Sequence, residues 1–132
     1  MHSPLEPINI HLETALQHIS NRDDPDYRNS IKESISAVEA ACLAIVGQNK
    51  ETLGKALNYL MKNSKNTISI PENLNRAFHN LYAYTSEEHG IRHSLLNESN
   101  LSFADARFML IACSAFVNYL VSKADDANIK LE

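Results

Sequence analysis

The chain has no tryptophan and only three glycines, four prolines and two cysteines among its 132 residues. So little glycine and proline leaves few tight hairpin turns, and the period-two alternation of half-buried strands is missing too, which excludes a β-sandwich or barrel. Two cysteines cannot build a disulfide framework. No stretch approaches the roughly 18 consecutive apolar residues of a membrane helix. Met1 to Ile10 has neither a basic start nor an apolar centre, so no signal peptide is expected, and the reading is a cytoplasmic protein without a membrane partner. Excess basic charge is also lacking. Twelve Lys and Arg against 16 Asp and Glu give a formal net charge of −4, which excludes the broad cationic surface that captures long nucleic acids. Lys50, Lys55, Lys62 and Lys65 are the one basic concentration, read as a solvated face. The triplets Asn97-Glu98-Ser99 and Asn100-Leu101-Ser102 would be glycosylated only on a secretory route, and they are discounted.

What is present is apolar and helical in its spacing. At 44% hydrophobic residues, a single domain over residues 1–132 can bury a core without covalent staples. Leu131-Glu132 could equally be a cloning remnant, leaving open that the domain is cut from a longer protein. Five apolar stripes recur every three or four residues, which predicts an all-α, up-and-down bundle of four to five main helices. The first runs from about Ile8 to Asn21. The second opens at Asp24-Pro25-Asp26, with an acceptor at the cap and proline in the first turn, and closes at Gly47. Its alanines at 37, 40, 41 and 44 leave one side small enough for close packing. A shorter third helix covers Leu53 to Met61, and a fourth starts at Pro71 and fails after Tyr84.

The fifth begins at Ser102, with Asp105 three residues on, and continues to about Ala124 along Phe103, Ala106, Leu110, Cys113, Val117, Leu120 and Ala124. Phe108, Met109, Phe116 and Tyr119 widen its apolar arc beyond that seam. Such a helix is either central to the bundle or covered by another chain, and both are expected here, with a homodimer as the partner state. Cys42 and Cys113 fall inside apolar repeats, where a reduced thiol acts as a small hydrophobe.

Between the fourth and fifth helices lies Thr85 to Leu101, about as long as an irregular connection in a compact domain becomes. If Ile91 to Leu96 turn helically, His89, Arg92 and His93 share a face. Imidazoles can move a proton near neutral pH, and an arginine can grip a phosphate while charge develops on it, so the trio suits metal-free RNA cleavage without a cofactor. The plainer alternative has Arg92 in a salt bridge, with Glu39 as one carboxylate available, and both histidines solvated. A metal pair of His89 and His93 lacks further ligands, so no metal is expected.

The run Asp26-Tyr27-Arg28-Asn29-Ser30-Ile31-Lys32-Glu33-Ser34-Ile35-Ser36-Ala37-Val38-Glu39, followed by Gly90-Ile91-Arg92-His93, Phe108-Met109-Leu110 and Cys113-Ser114-Ala115-Phe116, resembles the C-terminal domain of AbiJ-like abortive-infection proteins of the HEPN superfamily. The likeness spans about Ile8 to Ala124. It implies a HEPN-like helical bundle, commonly dimeric, from a prokaryotic antiphage defence setting, in which active members are metal-independent ribonucleases. Their signature is an arginine followed by a polar residue and then a histidine a few residues beyond. Arg92 and His93 fit its front half, but Asn97-Glu98-Ser99 supplies no histidine. The resemblance therefore implies either cleavage with Arg92, His93 and His89 as catalytic groups, or a non-catalytic dimerising or RNA-binding module. Asn97 can bond a phosphate or ribose in either case, but its amide cannot serve as a base.

Overall fold

A computed structural model describes residues 3–47, 68, 70–84 and 101–131. Among these the chain is all-helical, with four helices: α1 (Leu5–Ser20), α2 (Tyr27–Val46), α3 (Glu72–Tyr84) and α4 (Phe103–Asp126). They correspond to the first, second, fourth and fifth expected helices. The third, Leu53 to Met61, lies outside the described residues.

Helix α1 starts earlier than its apolar stripe suggests, because Pro4 stands at the cap position and Pro7 in the first turn, where no intrahelical N–H is needed. After Ser20 the Asn21 side-chain oxygen accepts the backbone N–H groups of Asp23 and Asp24 and turns the chain. The expected cap of α2 is corrected by one acidic residue. Asp26, not Asp24, is the N-cap, and it accepts the Asn29 N–H. Asp24 belongs instead to the preceding turn, where its N–H donates to the Asn21 side-chain oxygen. Gly47 closes α2 as expected, at φ 91°, which glycine adopts without a Cβ clash, and its N–H donates to the Leu43 carbonyl.

Three polar links fix α1 antiparallel on α2. The Asp26 N–H donates to the His18 carbonyl at 3.0 Å, the Ser30 hydroxyl donates to the Ala15 carbonyl at 2.8 Å, and His11 Nδ1 meets Glu33 Oε2 at 2.6 Å. Their steps of three and four residues on each helix follow the helical repeat, so one face of each stays in register. At the start of α4, Phe103 meets Tyr27 at the start of α2 edge to face, with centroids 6.4 Å apart, so these two helices run parallel. Helix α3 runs the other way: Phe78 stacks on Phe116, while Tyr84, two turns on, shares a groove with Ala104 and Phe108. Directions thus alternate along the four described helices, as an up-and-down bundle requires.

The core lies between α1, α2 and α4. Ile8, Ile31, Cys42, Met109, Cys113 and Leu120 are fully buried, and Ile68 joins them from outside the helices. Among the described residues α4 alone is long and apolar enough to cross a membrane by length and composition, although no such helix was expected from the sequence; a third of the qualifying window, 33%, is buried inside the bundle. The reason is its stretch from Phe108 to Ser122, which holds no charged residue although Ser114 and Asn118 interrupt it.

Candidate functional site

The run Asp26 to Ser30 spends most of its side chains on folding. Besides capping Asn29 N–H through Oδ1, Asp26 accepts the Asn29 amide through Oδ2 at 2.7 Å. Ser30 is fully buried and ties α2 to α1, and Ser34, buried one turn on, donates back to the Ser30 carbonyl. Tyr27 reaches across to Phe103. Burial works against the charge on Asp26, but the two bonds from Asn29 and the nearby His18 and Arg28 outweigh it and hold the carboxyl below its ordinary range.

Asp24, Pro25, Asp26, Tyr27 and Arg28 line a polar, open cavity of about 370 Å³, closed on one side by Leu101. Acidic and basic groups face one another there, at the positive end of the α2 dipole. A second concavity, about 390 Å³ and more apolar, lies between α3 and α4, lined by Ala77, Asn80, Leu81 and Tyr84 on one helix and Ala104, Asp105 and Phe108 on the other. Burial, with the Asp105 carboxylate nearby, raises the pKa of Tyr84. His79, half-buried on α3, is shifted downward by burial, which favours its neutral ring.

The predicted site residues Arg92, His93, His89 and Asn97 lie outside the described residues, as does the lysine concentration from Lys50 to Lys65. Their segment joins Tyr84 to Leu101, and both of those flanks stand at one end of the bundle: Tyr84 beside Asp105 and Phe108, and Leu101 on the rim of the Asp24–Arg28 cavity. Sequence reasoning missed the His11–Glu33 pair. Each residue flanks an apolar stripe of its own helix, and only the antiparallel register of α1 on α2 makes them neighbours. Among the described residues no group of three or more His, Cys, Asp or Glu side chains is placed to hold a metal ion. Cys42 and Cys113 are buried, as their apolar setting predicted, and burial pushes both thiols up to about 12. No protein-family model, curated protein or solved structure matches the chain.

Proposed function

We propose that the chain is a HEPN-like domain of an abortive-infection type defence protein, working in the cytoplasm as a homodimer on RNA, with the segment between α3 and α4 as its working part. The observation that carries this reading is the position of that segment's two flanks. Tyr84 and Leu101 stand at the end of the bundle where α2 begins and where Asp26 and Arg28 line a polar cavity. Functional groups are commonly carried on connections held by a rigid scaffold, and a segment with two histidines, an arginine and an asparagine anchored at both ends fits that pattern. Arg92 would hold the scissile phosphate, and His93 or His89 would take the proton from the ribose 2′-hydroxyl as its oxygen attacks the phosphorus; the P–O5′ bond would break, the departing 5′-oxygen would take a proton from the other histidine or from water, and a 2′,3′-cyclic phosphate would remain. Asn97 would bind the phosphate or ribose.

A non-catalytic RNA-binding or dimerising module is the competing reading, favoured by the missing histidine in Asn97-Glu98-Ser99 and by a signature run largely engaged in capping and helix pairing. Purified protein incubated with total RNA in excess EDTA separates the two. Cleavage that survives chelation and is lost in Arg92→Ala supports the enzyme, and intact RNA at high protein concentration supports the module.

A further inference from the structure

The groove between the last turns of α3 and the first turns of α4 encloses about 390 Å³, within the size range of small-ligand sites. Its chemistry is one-sided. Among the described residues that line it, Asp105 alone is charged, and the rings of Tyr84 and Phe108 stand with Leu81 as its large apolar groups. Asp105 keeps an oxygen in reserve. Its Oδ2 accepts the Ser102 N–H and hydroxyl, each at 2.9 Å, and among the described residues no bond uses Oδ1. The positive end of α4 would otherwise draw an anion, but the capping box closes it, with the Asp105 carboxylate in the place an anion would take.

The two rings are also spare. On α4 itself, Phe103 lies under Arg107, 5.6 Å from its guanidinium, and Tyr119 lies under Lys123, 5.9 Å from its ammonium. Tyr84 and Phe108 are 43% and 60% exposed, and among the described residues neither meets a cation or another ring. An aromatic face attracts positive charge, and alkylated ammonium groups are recognised in this way. The nearby carboxylate narrows the choice further: an anion would be repelled by Asp105, and a neutral apolar guest would strip water from its charge without replacing it. A primary ammonium is strongly hydrated and keeps three N–H donors to satisfy, whereas an alkylated head has none and presents methyl groups that pack on rings.

We propose that this groove binds a small alkylated ammonium, a free organic cation of the choline class, with its methyl groups against the Tyr84 and Phe108 rings and its charge towards Asp105 Oδ1. The site shares no residue with the proposed ribonuclease centre, so either can fail alone. An occupant bridges the last turn of α3 and the first turns of α4.

Choline and the neutral alcohol in which carbon replaces its quaternary nitrogen differ in charge and hardly in shape, so the pair isolates the cation. Titrated into nitrogen-labelled protein at constant ionic strength, choline should give saturable NMR shifts at the amides of Tyr84, Asp105 and Phe108 and bind about tenfold more tightly than the alcohol. Phe108→Leu keeps an apolar side chain without the ring, and Asp105→Asn keeps a capping acceptor without the charge. Each should weaken choline about fivefold and the alcohol little, with the far-ultraviolet helix signal unchanged. Phe103→Leu, whose ring lies outside the groove, is the control and should leave choline binding as it was. Equal binding of the two ligands would overturn the cation site and leave an apolar groove. Choline shifts that survive both groove variants would overturn it as well. So would the absence of saturable shifts, and a light-scattering mass near twice 14.8 kDa in that case would give the Phe108 ring to a second copy instead.

Discussion

Asp26 closes the first turn of α2 with both carboxylate oxygens, and the charge that does so is held below its ordinary titration range. Asp26→Ala should therefore cost about 1–2 kcal/mol in urea unfolding, the usual range for losing a helix cap. Because the folded-state pKa is lowered, the stabilisation is complete above the ordinary value of 3.8 and is lost as pH falls through the lowered one. Asp26→Asn should keep most of the cap and flatten the acid side of the stability profile; an unchanged acid limb would show that Asp26 does not contribute to it. Ser30→Ala removes a buried bond between helices and should cost about 1 kcal/mol. Cys42 and Cys113, pushed up to about 12 by burial, should ignore a thiol reagent at pH 8 until denaturant is added, when both react. At this scale the sequence was legible where both partners are local. Asp26 and Asn29 lie within one turn, yet spacing alone could not decide between Asp24 and Asp26 as the cap, because both precede the apolar stripe. Ser30 could not be read at all, since its acceptor belongs to another helix, and buried Asn75 sits inside a stripe that reads as polar surface.

The helices themselves were easier to read than their contacts. Ser102 and Asp105 form the reciprocal capping box that their spacing predicted, with each side chain bonding the other's backbone N–H. Ser102→Ala should lower stability by about 1 kcal/mol and shorten α4 at its start, measurable as faster amide exchange over Phe103 to Ala106. Where α4 was misjudged, the fault was rotational. Phe103 and Leu110 belong to the predicted seam, but Phe103 is 48% exposed and Leu110 only partly buried, and Met109 and Phe116 take the central places. A helix with apolar residues on opposite sides offers two candidate faces. Periodicity cannot choose between them, because the choice depends on where α1 and α2 lie. Arg107 over the Phe103 ring, 5.6 Å from its centroid, marks the boundary between the two faces.

The whole molecule joins a three-helix core, α1 with α2 and α4, to a fourth described helix that packs on it through Phe78, Leu81 and Tyr82, with Phe78 against Phe116 and Tyr119. Fold class was plain from period and composition, because helical spacing is local information. Oligomeric state and site geometry were not, since one depends on a second chain and the other on residues 85–100, which lie outside the described residues. On the proposed homodimer paired through the exposed side of α4, Phe108→Asp should reduce the light-scattering mass from near twice 14.8 kDa to 14.8 kDa while leaving the far-ultraviolet helix signal unchanged, because Phe108 is not part of the core. Loss of helix signal would instead assign the residue to folding. The chain order of this core has a consequence for biosynthesis. The α1–α2 hairpin, with its three polar links, is complete within the first 46 residues, but the part of α2 that packs on α4 is covered only after α4, which begins at Phe103, has been made. At translation rates of about 5–20 residues per second, Ile31, Ile35 and Val38 stay without that cover for about 3–11 seconds while the intervening residues are made. A nascent chain should therefore expose part of the α2 face until α4 emerges, and a message cut between the codons for α2 and α4 should yield an α1–α2 hairpin with that part left uncovered.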